Sequence, residues 1–170
     1  MLRRAAVLAI PVLFVAACQT SYEGPGYPAP PPPAPPPPPA VGGIDGQGAF
    51  HMSSGARVTC AGYSVALMPD YVRYRRRVVD LYGTTVRSMQ PIAEVRARSA
   101  KAPPSPDTAP VASATCDAKG AFQVRGLQPG GYFLLARVKV RPAPASGGDY
   151  VILQPIDVQP GQIASVSLAP

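Results

Sequence analysis

The sequence predicts an all-β fold, an antiparallel β-sandwich of Greek-key type with about seven strands and a partly helical or irregular insertion. Short runs of β-branched and aromatic residues recur along residues 43–170, and turns rich in Pro and Gly separate them at intervals of about eight to twelve residues. Within this segment, apolar residues at helical spacing are confined to residues 70–110. We therefore interpret residues 43–170 as one sandwich domain, since their number is near the usual size of a single domain.

Several segments have the composition of β-strands. They are Arg57–Cys60, Tyr63–Met68, Ala121–Val124, Tyr132–Val140, Tyr150–Leu153 and Ile163–Leu168. Gly120 precedes the third of them, at a turn where a positive φ costs glycine little. The segment Tyr132–Val140 is the longest apolar run of the domain, and it predicts a central strand.

Residues 70–110 form the predicted insertion between sandwich strands. Four residues recur there at helical spacing: Tyr71, Tyr74, Val78 and Leu81. Asp70 is placed to cap that helix, and Pro91 to start a second, shorter one. The Pro-rich residues 99–110 predict a loop.

The N-terminus has the pattern of a signal peptide. Arg3 and Arg4 precede an apolar run, residues 5–16, that is too short for a membrane-spanning helix of about 20 residues. The run ends in Val15-Ala16-Ala17-Cys18, which resembles the bacterial lipobox. The alternative interpretation is an ordinary secretory signal that is followed by an unrelated cysteine.

The lipobox resemblance implies that residues 1–17 are removed and that Cys18 carries lipid, including palmitate-type acyl chains. Acyl chains anchor a protein stably because each buried CH₂ group contributes about 0.8 kcal/mol. Gln19 follows the cysteine, where an aspartate would resemble an inner-membrane retention signal. We therefore expect the cell outer membrane, with the periplasmic or outer face left open.

Residues 18–42 are interpreted as a tether. Eleven prolines lie between Gly24 and Ala40, and such runs adopt the extended polyproline II conformation. At about 3.1 Å per residue they predict a semi-rigid spacer of about 40 Å. Docking to an aromatic-lined groove is the alternative use of such a segment, and a spacer is the interpretation we favour outside the cytosol.

The segment from Cys116 to Tyr132 resembles the signature hairpin of carboxypeptidase regulatory-like, transthyretin-like domains. The matching positions are Asp117, Gly120, Phe122, Leu127, Pro129, Gly130 and Tyr132. Residues 65–69 resemble the strand that precedes the hairpin in that family. The resemblance implies a transthyretin-like sandwich, and it implies a non-catalytic accessory or binding module.

The chain has three cysteines. If Cys18 is lipidated, Cys60 and Cys116 remain, and a pair in an oxidising compartment is expected to form a disulfide. The sequence has no CxxC pattern and a single histidine, His51, so we expect no metal site and no cofactor.

The formal net charge is +7, and much of it is local. Between Pro69 and Lys101 there are eight basic and three acidic residues. The candidate site for an anionic ligand consists of Tyr71, Arg73, Tyr74, Arg75, Arg76 and Arg77, since arginine binds phosphate and carboxylate bidentately and aromatic rings stack. The alternative is a solvated helix face, because arginines at this spacing spread over more than one face.

No catalytic site is expected. Four residues of the types found in catalytic sites lie close in sequence: Asp45, His51, Ser53 and Ser54. No recognised catalytic motif surrounds them. We expect a non-enzymatic envelope lipoprotein that contacts the membrane through lipid on Cys18 and binds an unknown envelope protein or anionic polymer. The alternative is a surface-exposed, adhesin-like module that binds anionic glycan through residues 71–77. Nucleic acid is not an expected partner of an exported protein.

Overall fold

The computed structural model describes residues 40–102, 109–145 and 147–169, and it confirms the predicted all-β sandwich with a helical insertion. The predicted signal peptide, the lipobox with Cys18 and nearly all of the tether lie outside the described residues. Residues 103–108 of the predicted loop also lie outside them.

The described residues contain ten strands and two helices. In chain order they are β1 (Gly42–Gln47), β2 (Ala49–His51), β3 (Arg57–Thr59), β4 (Ser64–Pro69), α1 (Val72–Tyr82), β5 (Ser88–Pro91), α2 (Ile92–Lys101), β6 (Ala112–Thr115), β7 (Ala121–Leu127), β8 (Gly130–Arg141), β9 (Asp149–Val158) and β10 (Ile163–Ser167). All six predicted strands are present, with β7, β8 and β9 longer than predicted. The strands β1, β2, β5 and β6 were not predicted.

The strands form two sheets. In the three-stranded sheet, β1 lies between β10, to which it is parallel, and β7, to which it is antiparallel. In the larger sheet, β8 is the central strand, as predicted. It pairs with β9 on one edge and with β4 and β3 along the other. The outer neighbours are β5 beside β9, β6 beside β4 and β2 beside β3.

The main hydrophobic core lies between the two sheets. Residues on alternate positions of β8 face it: Tyr132, Leu134, Ala136, Val138 and Val140. They pack with Ile44, Val58, Leu67 and Phe122, among others. The intervening positions of β8 face the other side, so Phe133 belongs to a second cluster beneath the helices.

Gly46 explains why β1 is difficult to recognise in the sequence. Gly46 lies directly opposite Phe122 in the ladder, and a Cβ atom at position 46 would lie 1.9 Å from Cζ of Phe122. The phenyl ring therefore needs glycine in the neighbouring strand. Glycine is uncommon in strands, so β1 lacks the usual composition of one.

Cys60 and Cys116 form the predicted disulfide, with 5.7 Å between their Cα atoms. The bridge joins the end of β3 to the end of β6. Around it, the Gly62 N–H donates to the Cys116 carbonyl, and the Cys116 N–H donates to the Tyr63 carbonyl. The disulfide thus closes the part of the chain that contains the insertion.

The insertion packs on the outer face of the larger sheet. Val78 and Tyr82 of α1 contact a cluster that includes Phe133, Val151 and Leu153. The strand β5 pairs with β9, so the insertion also extends the sheet itself. The predicted second helix is present, and Pro91 is its N-cap residue.

The two ends of the sandwich are distinct. We call the end that holds Ala40 the proximal end and the opposite end the distal end. At the proximal end, the Gly161 N–H donates to the Ala40 carbonyl, and a Cβ atom at Gly42 would lie 2.6 Å from the Val158 side chain. The distal end contains the start of β9 and the end of β8. Since β9 runs from Asp149 to Val158, the ends are about 30 Å apart at about 3.3 Å per residue.

Candidate functional site

Helix α1 is held to the sheet by its apolar face. Val78 and Tyr82 are buried, and Tyr74 and Leu81 are partly buried against the same cluster. The helix ends at Gly83, which has φ 71° and whose N–H donates to the Val79 carbonyl. The helix predicted from the apolar spacing is therefore confirmed.

The predicted capping role of Asp70 is wrong. The N-cap residue is Tyr71, and no side chain caps the helix. The Asp70 carboxylate instead forms a two-point ion pair with Arg75, at 2.6 Å to Nη2 and 2.5 Å to Nε. A planar guanidinium on the following turn competes better for the carboxylate than a backbone amide does. The pair fixes Arg75 against the sheet, 5.9 Å from the centroid of the Phe133 ring.

The exposed residues of the first turn gather around a shallow depression. Tyr71, Val72, Arg73 and Arg76 line it, and its volume is about 560 Å³. Tyr71 is 63% exposed and Val72 is 86% exposed. We call these four residues the Tyr71–Arg76 face. Because the Asp70 N–H donates to the Gly131 carbonyl at the start of β8, this face lies at the proximal end.

An aromatic ring supports one of the two arginines of this face. The Arg73 guanidinium lies 5.7 Å from the centroid of the Tyr74 ring, and the Tyr71 and Tyr74 rings are 6.2 Å apart. Tyr74 is partly buried in the helix–sheet cluster, so it connects the exposed face to the core. An arginine that packs on a ring has fewer side-chain conformations to lose when a ligand binds.

The structure divides the six predicted ligand-binding residues into two groups. Arg75 is paired with Asp70, and Arg77 lines a different hollow together with Val78 and Leu81. The other four residues remain together at the depression or beneath it: Tyr71, Arg73, Tyr74 and Arg76. The arginines thus occupy more than one face of the helix, as their spacing indicated.

The C-terminal end of α1 is fastened to β5 and α2. Arg98 donates to the Leu81 carbonyl at 3.0 Å and to the side-chain oxygen of Gln90. The Gln90 amide in turn donates to the Tyr82 carbonyl. These bonds satisfy carbonyls at the helix end that have no partner within the helix. They hold α1, and with it the Tyr71–Arg76 face, in one orientation.

A second basic surface was missed in the sequence. Arg137, Lys139 and Arg141 alternate with buried valines along β8, and Arg57 lies directly opposite Arg141 in the β3–β8 ladder. We call these four residues the distal basic row. Arg137 stacks 4.8 Å from the centroid of the Tyr63 ring. The alternation from Arg137 to Arg141 was the available signal, but the partner residue Arg57 is remote in sequence.

The residues considered for catalysis have other surroundings. The Asp45 carboxylate accepts from Arg125 at 2.6 Å, and His51 lies exposed at the end of β2, opposite Arg57. Within the described ranges, no three or more His, Cys, Asp or Glu side chains lie close enough to bind a metal ion. No helix of those ranges is long and apolar enough to cross a bilayer.

Tyr82 should make the fold sensitive to alkaline pH. Burial raises the pKa of Tyr82 above its ordinary value of 10.0. A raised pKa in the folded state means that stability is fully present below the unfolded pKa and is lost as pH rises through the folded pKa. We expect the free energy of unfolding to fall above about pH 10, and to fall less in Tyr82→Phe. Urea titrations between about pH 8 and about pH 11 measure this, and equal losses in both proteins would contradict it.

Comparisons with known proteins do not assign this chain to a family. No protein-family model matches it, and no curated protein matches it. Among solved structures, it is similar to a protein from Pseudomonas aeruginosa that has been proposed to bind carbohydrate. The two are 19% identical, the match covers 76% of this chain and 89% of the other, and the TM-score is 0.47.

Proposed function

We propose that this chain is a non-enzymatic lipoprotein of the bacterial outer membrane whose β-sandwich binds an anionic glycan. The observation that carries the binding role is the Tyr71–Arg76 face, where two exposed arginines one helical turn apart flank exposed Tyr71 and Val72. The face lies on a helix that is packed on the sheet and hydrogen-bonded to its neighbours, so a ligand would meet a largely pre-formed surface.

The chemistry of the face suits a sugar polymer that carries phosphate or carboxylate groups. A guanidinium presents a planar fork that matches such groups, and an exposed tyrosine ring offers an apolar platform to a sugar. Asp70, the acidic neighbour in sequence, is already neutralised by Arg75. The depression is shallow, which suits a segment of a polymer.

The anchor and the domain type belong to the same proposal. Val15-Ala16-Ala17-Cys18 resembles a lipobox, the Pro-rich residues up to Ala40 resemble a spacer, and the Cys116–Tyr132 segment resembles a carboxypeptidase regulatory-like hairpin. The chain enters the domain at Ala40, and this residue lies at the proximal end of the sandwich, as does the Tyr71–Arg76 face.

Replacing the lipidated cysteine should release the protein from membranes. We expect Cys18→Ala to move from the membrane fraction to the soluble fraction, because the acyl chains supply the anchoring free energy. Intact mass of the wild-type protein should show loss of residues 1–17 and added acyl groups. Ser21→Ala is the matched control and should remain in the membrane fraction. A wild-type protein without acyl mass would refute the anchor.

Removing the two exposed arginines should abolish most of the glycan binding. We expect Arg73→Ala/Arg76→Ala to weaken binding to purified lipopolysaccharide about tenfold, since each charged contact contributes up to about 1 kcal/mol. Co-sedimentation at low and high salt measures this, and salt should weaken wild-type binding because exposed charges are screened.

The matched control removes the same charge from another surface. Arg96→Ala/Lys101→Ala takes two exposed positive charges from α2 and should bind nearly as the wild type does. Equal losses in both double variants would mean that net charge alone governs binding. Absence of wild-type binding at low salt would reject the anionic glycan and favour an envelope protein as the partner.

A further inference from the structure

An apolar groove opens at the distal end of the sandwich. It consists of two adjoining hollows, of about 640 Å³ and about 250 Å³, that share Met52 and Met89. The larger hollow is also lined by Val140 and by Tyr150 at the start of β9. Its size is within the usual range of sites for small ligands.

The smaller hollow reaches the core between the sheets. Ile152 and Leu168 line it, and these side chains are 2% and 1% exposed. Phe50 closes it on the side of β2. The two methionines at the junction are unbranched and adapt their shape to a bound chain. An extended apolar group could therefore lie from the larger hollow into the smaller one.

Among the described residues that line the groove, Arg87 is the charged one. No acidic residue lines either hollow, whereas Arg87 and Ser88 line the smaller one. Ser88 lies opposite Leu153 of the second cluster in the β5–β9 ladder, so its hydroxyl faces the helical layer, whereas Met89 faces the groove together with Ile152. Arg87 is exposed, and it is therefore the group that an anionic head would meet at this groove.

Two further arginines lie beside the groove, on the other face of the same strands. Arg57 and Arg141 follow the lining residues Ala56 and Val140 in sequence, and they lie directly opposite each other in the ladder. Among the described residues neither of them forms an ion pair. They add positive charge near the groove but do not line it.

From this combination we propose that the groove binds a monomeric, single-chain anionic amphiphile. The apolar tail lies against Met52, Met89 and Leu168, and the carboxylate or phosphate head accepts hydrogen bonds from Arg87. This site is independent of the proposed glycan-binding function, because it lies at the distal end and the Tyr71–Arg76 face lies at the proximal end.

The test uses residues 18–170 with Cys18→Ser, so that no acyl group of the protein itself competes for the groove. Calorimetry with laurate and dodecyl phosphate, below their micelle concentrations, should show one bound molecule per chain. Met52→Gln/Met89→Gln should bind about tenfold less tightly, because it places polar amides in an apolar site. Arg73→Ala/Arg76→Ala in the same protein should bind both amphiphiles as tightly as the Cys18→Ser protein does.

The head group is tested separately with uncharged dodecanol. Arg87→Ala should weaken laurate binding about threefold to fivefold and leave dodecanol binding unchanged, since an exposed ion pair contributes at most about 1 kcal/mol. If neither anionic amphiphile bound, the proposal would be overturned. Unchanged binding by the methionine variant would overturn it as well, and so would association only with phosphatidylglycerol vesicles, which would indicate a membrane-binding surface instead.

Discussion

Replacing Cys60 and Cys116 together by alanine should lower the free energy of unfolding by about 4 kcal/mol. The disulfide joins residues that are 56 positions apart, and closing a loop of that length restricts the unfolded chain by about this amount. Alanine is the suitable replacement because both cysteines are buried, and a serine hydroxyl would need a partner. Urea unfolding of the oxidised protein and of the double variant measures the difference.

Reduction provides the control for the disulfide. A reducing agent should destabilise the wild-type protein by a similar amount and should not change the double variant. The enclosed loop carries α1, β5 and α2, so the loss should be shared by the helical layer and the sandwich. If the oxidised protein and the double variant unfolded at the same urea concentration, the bridge would not contribute to stability.

Replacing Phe133 by alanine should lower the free energy of unfolding by about 3–5 kcal/mol. The side chain is 1% exposed and lies in the cluster that joins the helices to the sheet. The Arg75 guanidinium also packs over its ring. The variant should therefore lose protection from hydrogen exchange first in α1, as measured by mass spectrometry of the native protein.

Tyr71 provides the matched aromatic control for Phe133. Tyr71→Ala removes a ring that is largely exposed, and it should change the free energy of unfolding by no more than about 0.5 kcal/mol. Should Phe133→Ala be as stable as Tyr71→Ala, the helical layer would not depend on the second cluster, and the positioning of the Tyr71–Arg76 face would need another explanation.

The sandwich was predictable where the strand composition was ordinary. Runs such as Tyr132–Val140 are rich in apolar residues, and the structure places this run in β8 as expected. The strand β1 was missed because Gly46 makes room for Phe122, a requirement that comes from the partner strand. The strand β5 was missed because four residues that end in Pro91 resemble a helix start when their partner β9 is unknown.

The candidate site was only partly predictable for a related reason. The spacing of residues 71–77 predicted a helix and indicated that its arginines occupy several faces. It could not show that Arg75 would pair with Asp70 and leave Arg73 and Arg76 exposed. The alternation along β8 contains three members of the distal basic row, but Arg57 and the apolar groove depend on strands that meet only in the fold.

Mapping the bound glycan on the protein tests the proposed binding site most directly. Backbone amide resonances of the ¹⁵N-labelled protein would be recorded during titration with de-O-acylated lipopolysaccharide. The proposed function predicts that the largest shifts occur at Tyr71, Val72, Arg73 and Arg76, and that high salt reduces them. Shifts that centre on Arg57 and Arg141 instead, with residues 71–76 unmoved, would contradict it.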